Sequence, residues 1–174
     1  MRQDPSAAAA TAHALKCELA SEVLRSFGRL RFAATGWSML PAVWPGDTLV
    51  VERVSQDQVR AGHVVLSGRD GRLCAHRVVS RGDDSGNRSW ITQGDAMPEP
   101  DRPVTESELL GRVDYVIRAG KLIALPVKLS VVQRLTAKII RRSVPAARAL
   151  VYLHQMVQTS EKSVPKESVL PCQG

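Results

Sequence analysis

The sequence predicts a mainly β fold of short antiparallel strands with an amphipathic helix at each end. Three observations lead there. Between Ala33 and Leu125 the apolar residues fall in short runs, rich in Val and Leu, that are too brief for helices of ordinary length. Those runs are separated by turn chemistry, at Pro45-Gly46-Asp47, Arg69-Asp70-Gly71-Arg72 and Arg81 to Asn87. Outside that stretch the apolar spacing lengthens to three and four residues, the period of a helix. With 174 residues, 44% of them hydrophobic, the chain can bury one core plus terminal extensions.

The first element is an amphipathic helix assigned to residues 1–32. Leu15, Leu19, Val23, Phe27 and Leu30 recur on one stripe, while Lys16, Glu18, Glu22 and Arg25 take other faces. Packing against the protein's own core is the first expectation for that stripe, with a bilayer or another subunit as the alternatives. A β domain follows over residues 33–125. Within it, Asp70-Gly71 reads as a two-residue hairpin joining His63–Ser67 to Leu73–Ser80. Trp90 to Gln93 forms another strand, and Val113–Ile117 pairs with Leu122–Leu125 around Ala119-Gly120. Thr105 and Glu108 have the spacing of a capping box and predict a short helix ended by Gly111. Residues 126–158 are read as two basic amphipathic helices. Val132, Leu135 and Ile139 mark the first, and Ser143 with Pro145 marks the break. The segment 159–174, with Pro165 and Pro171, is expected to be a disordered tail.

The chemistry concentrates around one serine. Ser38 lies in Gly36-Trp37-Ser38-Met39-Leu40-Pro41, a turn just before the apolar run Thr48 to Val51. A serine is a weak nucleophile until a neighbouring base takes its proton. No lysine occurs between Lys16 and Lys121, and Lys121 falls in a hairpin turn, so it is a poor candidate for the base. His76, in Leu73-Cys74-Ala75-His76-Arg77-Val78-Val79, is a strand-borne imidazole able to accept a proton near neutral pH. The other histidines are less suited: His63 reads as a hairpin residue, and His13 and His154 lie on terminal helices. Asp95 and Asp101 supply carboxylates downstream, with Glu99 a weaker rival.

Four blocks in this order resemble signal peptidase I, in the branch of archaea and the endoplasmic reticulum that uses serine and histidine. They are Gly36 to Pro41 with Pro45-Gly46-Asp47; His76-Arg77-Val78-Val79; Ile91-Thr92-Gln93-Gly94-Asp95 with Asp101; and Leu110-Gly111-Arg112-Val113. Together they cover roughly residues 32 to 125. The resemblance implies a signal-peptidase/LexA-like β fold and a serine endopeptidase that cuts after small residues in an extended peptide or preprotein. It implies Ser38 as nucleophile, His76 as general base and Asp101 as the acid that orients the ring, with Asp95 as the second candidate for that acid. The oxyanion would be met at the turn of Gly36 and Ser38, where the Ser38 backbone N–H is one natural donor. Gly36 has no hydroxyl to lend, and the sequence does not assign the second donor; Thr35 is one guess for it.

Neither a cofactor nor a metal is expected. The cysteines, Cys17, Cys74 and Cys172, are odd in number and far apart, which indicates neither a disulfide framework nor a metal cluster. The net charge of +7 gathers late, because Lys121, Lys128, Arg134, Lys138, Arg141, Arg142 and Arg148 run without an intervening acid. That segment is read either as a solvated helix face or as a contact for an anionic membrane surface or a membrane-anchored partner. Nucleic acid is not the expected partner, since no helix-turn-helix or aromatic stacking platform accompanies the charge. No stretch reaches the ~18 consecutive apolar residues of a spanning helix, and Ala7 to Ala10 is too short for a signal-peptide core. A cytoplasmic or peripheral-membrane location is the resulting expectation. A catalytically inactive peptide-binding or membrane-complex module of the same fold is the alternative function. A self-cleaving LexA-like repressor would need a DNA-binding domain that the first 35 residues do not supply.

Overall fold

The structure, a computed structural model, describes residues 5–84, 87–142 and 152. It is mainly β with a helix near each end of the described chain. Helix α1 (Pro5–Phe27) leads into β1 (Arg29–Ala33) and β2 (Thr48–Glu52). After a single 3-10 turn come β3 (Val64–Arg69), β4 (Arg72–Asp84), β5 (Asn87–Gln93) and β6 (Val104–Thr105). The chain then forms β7 (Leu109–Arg118), β8 (Lys121–Ala124) and α2 (Val131–Arg142). Every pairing is antiparallel, in the order β1-β2-β7-β3-β4-β5-β6, with β8 on β7.

Turn chemistry sets the register where the sequence says it should. Asp70 and Gly71 both take positive φ, 50° and 72°, and close β3 onto β4 so that Arg69 faces Arg72. Ala119 and Gly120, at 48° and 76°, do the same between β7 and β8. A two-residue turn of this hand matches the twist of the flanking strands. In β3, Val65 opposes His76 and therefore shares its face, while Val64 opposes Arg77 on the other.

The two faces close separate apolar clusters. Leu24, Met39, Val43, Leu49, Val51, Val64, Leu66, Val113 and Val116 form the larger, and Val59, Val65, Val78 and Trp90 the smaller. A third, of Leu40, Ala96 and Ile140, attaches α2 to the loops around Ser38. Helix α1 lies across β1, β4 and β7. The close approach is real, since a Cβ on Gly71 would come within 3.1 Å of the Ala14 backbone nitrogen.

Four expectations are corrected. The first helix ends at Phe27 instead of continuing to residue 32. Gly28, at φ 70°, terminates it with its N–H on the Leu24 carbonyl. Residues 29–33 then alternate between exposed and half-buried, the period of a strand, because Leu30 and Phe32 pack on the larger core. The face of α1 that packs carries Cys17, Ala20 and Leu24, whereas Leu15, Leu19 and Phe27 are exposed. Small residues let the helix approach the hairpin closely, which the larger leucines would prevent. Similarly, α2 buries Ala137 and Ile140 and leaves Val132, Leu135 and Ile139 exposed. Thr105 and Glu108 make only one half of a capping box, the Thr105 N–H donating to Glu108 Oε2; the Thr105 hydroxyl donates to the same oxygen and the Glu108 N–H reaches the Thr105 carbonyl, which closes a turn between β6 and β7. No helix follows, because Arg69 holds Glu108 and the next residues pair with β3, where Gly111 faces Leu66. The second C-terminal helix and the tail lie outside the described residues. Among the described residues no helix is long and apolar enough to cross a membrane.

Candidate active site

Ser38 is held on a turn by its neighbours. The Leu40 N–H reaches the Trp37 carbonyl at 3.1 Å and the Val43 N–H the Met39 carbonyl at 2.9 Å, so the chain coils tightly after the serine. Met39 and Leu40 are both buried, in different clusters, and this pins the turn from two sides. The following loop is fixed by Asp47, which is almost wholly buried. Its carboxylate accepts two hydrogen bonds from Arg118, at 2.9 and 2.7 Å, and one from the Trp44 N–H at 2.7 Å. A buried charge with this many partners is compensated.

His76 on β4 reaches that turn. Its Nε2 lies 3.0 Å from Ser38 Oγ, and its Nδ1 lies 2.5 Å from Asp101 Oδ2. With the proton on Nδ1, the ring donates to the carboxylate and accepts from the serine hydroxyl. Asp101 is itself oriented from β5, where Thr92 Oγ1 donates to the same oxygen at 2.7 Å and the Thr92 carbonyl accepts from the Asp101 N–H at 2.7 Å. Cys74, two residues before His76 on the same strand face, packs its sulfur 3.5 and 3.4 Å from the two ring nitrogens. Near-equal distances place the sulfur against the ring instead of along one N–H direction.

Burial opposes a charge on the ring, but the Asp101 hydrogen bond and the Cys74 sulfur outweigh it and raise His76 from 6.5 to about 9. Burial likewise pushes Asp101 up, and the His76 and Thr92 hydrogen bonds overcome that and hold it below the ordinary carboxylate value.

The candidate residues therefore divide. Ser38, His76 and Asp101 form one hydrogen-bonded chain. Asp95, the second candidate for the orienting acid, does not join it. Arg77 on the opposite face of β4 holds Asp95 with two parallel bonds, Nε to Oδ1 and Nη2 to Oδ2, each 2.8 Å. Arg77 Nη1 also donates to the Gly62 and Pro126 carbonyls, so its charge is fully engaged. Glu99 is exposed. Gly36 lies beside the serine with open space where a side chain would stand, and Thr35 is exposed next to it. Gly94 has no such freedom: a Cβ there would meet the Ser38 carbonyl at 2.7 Å and His76 Nε2 at 3.1 Å. His63 sits in the turn before β3, its Nδ1 accepting from the Arg60 N–H, and Lys121 is on exposed β8.

Sequence reasoning assigned no role to Thr92, Arg77 or Arg118. Thr92 and Arg77 lie inside the blocks quoted above, and a charged residue at an inward strand position is the signal that would have found Arg77. No protein-family model matches the chain, and no curated protein matches it.

Proposed function

We propose that the protein is a serine endopeptidase resembling signal peptidase I, cutting an extended peptide after a small residue. The observation that carries the reading is the continuous chain Ser38 Oγ, His76 Nε2, His76 Nδ1, Asp101 Oδ2, with contacts of 3.0 and 2.5 Å. Ser38 Oγ attacks the scissile carbonyl carbon as His76 Nε2 takes its proton. The oxyanion forms beside Gly36, where the Ser38 N–H is a donor. His76 then passes the proton to the leaving amine, and the C–N bond breaks. Water enters by the same base and releases the acyl group, returning the proton to Ser38.

The sheet supports an extended substrate. Among the described residues β1 pairs only with β2, and β4 pairs with β5 only from Arg77 onward, so residues 29–33 and 72–76 each keep a free edge. Both edges lead toward the site, one into Ser38 and the other into His76, and a peptide can add between them as a strand. Exposed Val132, Leu135 and Ile139 on α2, with Arg134 and Lys138 on the same helix, support an anionic membrane surface as a partner.

Cleavage of a peptide containing Ala-x-Ala tests the proposal, with a fluorophosphonate probe for reactive serines run in parallel. Wild type should cleave and label. Ser38→Ala and His76→Ala should lose both while keeping the circular dichroism spectrum. Retained cleavage in either variant refutes the assignment, and an unlabelled, inactive wild type leaves the peptide-binding module as the better reading.

A further inference from the structure

We propose that the slot between β1 and β4 selects acidic peptides, taking a Glu or Asp about four residues from the scissile bond on Lys16, Arg31 and Arg72; this rests on the peptidase reading above. A hollow of about 640 Å³ lies where α1, β1 and the start of β4 meet, lined by Thr35, Lys16, Arg31 and Arg72 among others. Among the described residues no acidic side chain lines it. Three acids near it in sequence are engaged elsewhere: Glu52 pairs with Arg29, Glu22 with Arg25, and Asp70 faces Arg102 at 3.8 Å. Lys16, Arg31 and Arg72 enter none of the ion pairs among the described residues.

Strand geometry connects this charge to the chemistry. Arg72, Cys74 and His76 alternate onto one face of β4, and Arg31 and Ala33 share the outward face of β1. At ~3.3 Å per residue, Arg72 stands ~13 Å back along the strand from His76. A peptide strand lying between the two edges therefore brings a side chain about four positions from its reacting carbonyl under the three cations. The hollow is open to water, so the preference is a matter of a few-fold per charge and weakens with salt.

The test uses the inert Ser38→Ala protein, which separates recognition from chemistry. Fluorescence anisotropy would compare Ala-x-Ala peptides carrying Glu, Gln or Lys four or five residues before the junction, and a second set with the change after it. One set should show Glu bound about five- to tenfold more tightly than Lys at low salt, and that set identifies the direction of the strand. Arg31→Glu with Arg72→Glu, both at exposed positions, should invert the order to favour Lys. Equal binding of Glu and Lys peptides in both sets, or an order unmoved by charge reversal, overturns the proposal. A correct binding order with no cleavage by wild type would instead count against the peptidase reading alone.

Discussion

The backbone N–H of Ala96 donates to the carbonyl oxygen of Ser38 at 2.8 Å, tying the turn that carries the hydroxyl to the loop after β5. That loop is in turn fixed to the strand of His76, because Asp95 is clamped by Arg77. The two halves of the site are thus positioned by one short segment, residues 94–96.

Gly94→Ala inserts a methyl group into the narrowest point of this arrangement, against the Ser38 carbonyl and His76 Nε2. Displacement of reacting groups by about 1 Å costs on the order of 10²-fold in rate. Peptide cleavage should fall by roughly that factor, while fluorophosphonate labelling slows and the far-ultraviolet spectrum stays unchanged. Full activity in this variant would show that the loop yields and does not position the serine.

Arg77→Met removes one member of a buried pair and strands the Asp95 carboxylate. The expected loss is about 3–5 kcal/mol in urea denaturation. Arg77→Met combined with Asp95→Leu should recover part of it, since no uncompensated charge then remains. Additive losses in the double variant would contradict the pairing.

The acid–base pair gives opposite trends for activity and stability. Only neutral His76 can accept the serine proton, so kcat/KM should climb about tenfold per pH unit and level off near pH 9. The folded value lies above the ordinary 6.5, so the charged ring stabilises the fold fully below pH 6.5 and that contribution disappears as pH rises through about 9. Asp101 works in the other direction: its stabilisation is present above the ordinary 3.8 and is lost as pH falls through its depressed folded value. Thermal denaturation from pH 3 to 10 should therefore show a plateau with both flanks descending, and His76→Gln should flatten the alkaline flank. A kcat/KM profile already level at pH 7 would contradict the raised imidazole.

The exposed apolar stripe on α2 should bring the protein to anionic vesicles. Co-sedimentation with vesicles rich in phosphatidylserine is expected, with much less on phosphatidylcholine alone, and Leu135→Glu with Ile139→Glu should abolish it. Equal recovery on both vesicle types would argue against a charged lipid surface.

The sequence displayed the hairpins and the site residues better than the helix faces. Asp70-Gly71 announces its turn because Asp and Gly are among the few residues that take two successive positive φ values readily, whereas at Ala119-Gly120 only the glycine marks the turn. Ser38 stood out because it sits on a turn between a glycine and a proline, and His76 because no lysine lies between Lys16 and Lys121 to serve as the base. By contrast, the apolar periods of α1 and α2 pointed to Leu15, Leu19, Leu135 and Ile139, whereas the buried sides use Ala20, Leu24, Ala137 and Ile140. Periodicity locates a stripe but does not say which of two adjacent stripes touches the sheet. The distinction between Asp95 and Asp101 was equally hidden, because it depends on Arg77 and Thr92 arriving from different strands.

Leu40 shares its cluster with Ile140 of α2 as well as with Ala96. Helix α2 is therefore a lever whose short arm ends two residues from the Ser38 hydroxyl. Whatever surface the outer side of that helix rests on, a shift in its seating is felt at Ser38 by two routes, the aliphatic cluster of Leu40, Ala96 and Ile140 and the hydrogen bonds from Arg141 to the Asp95 carbonyl.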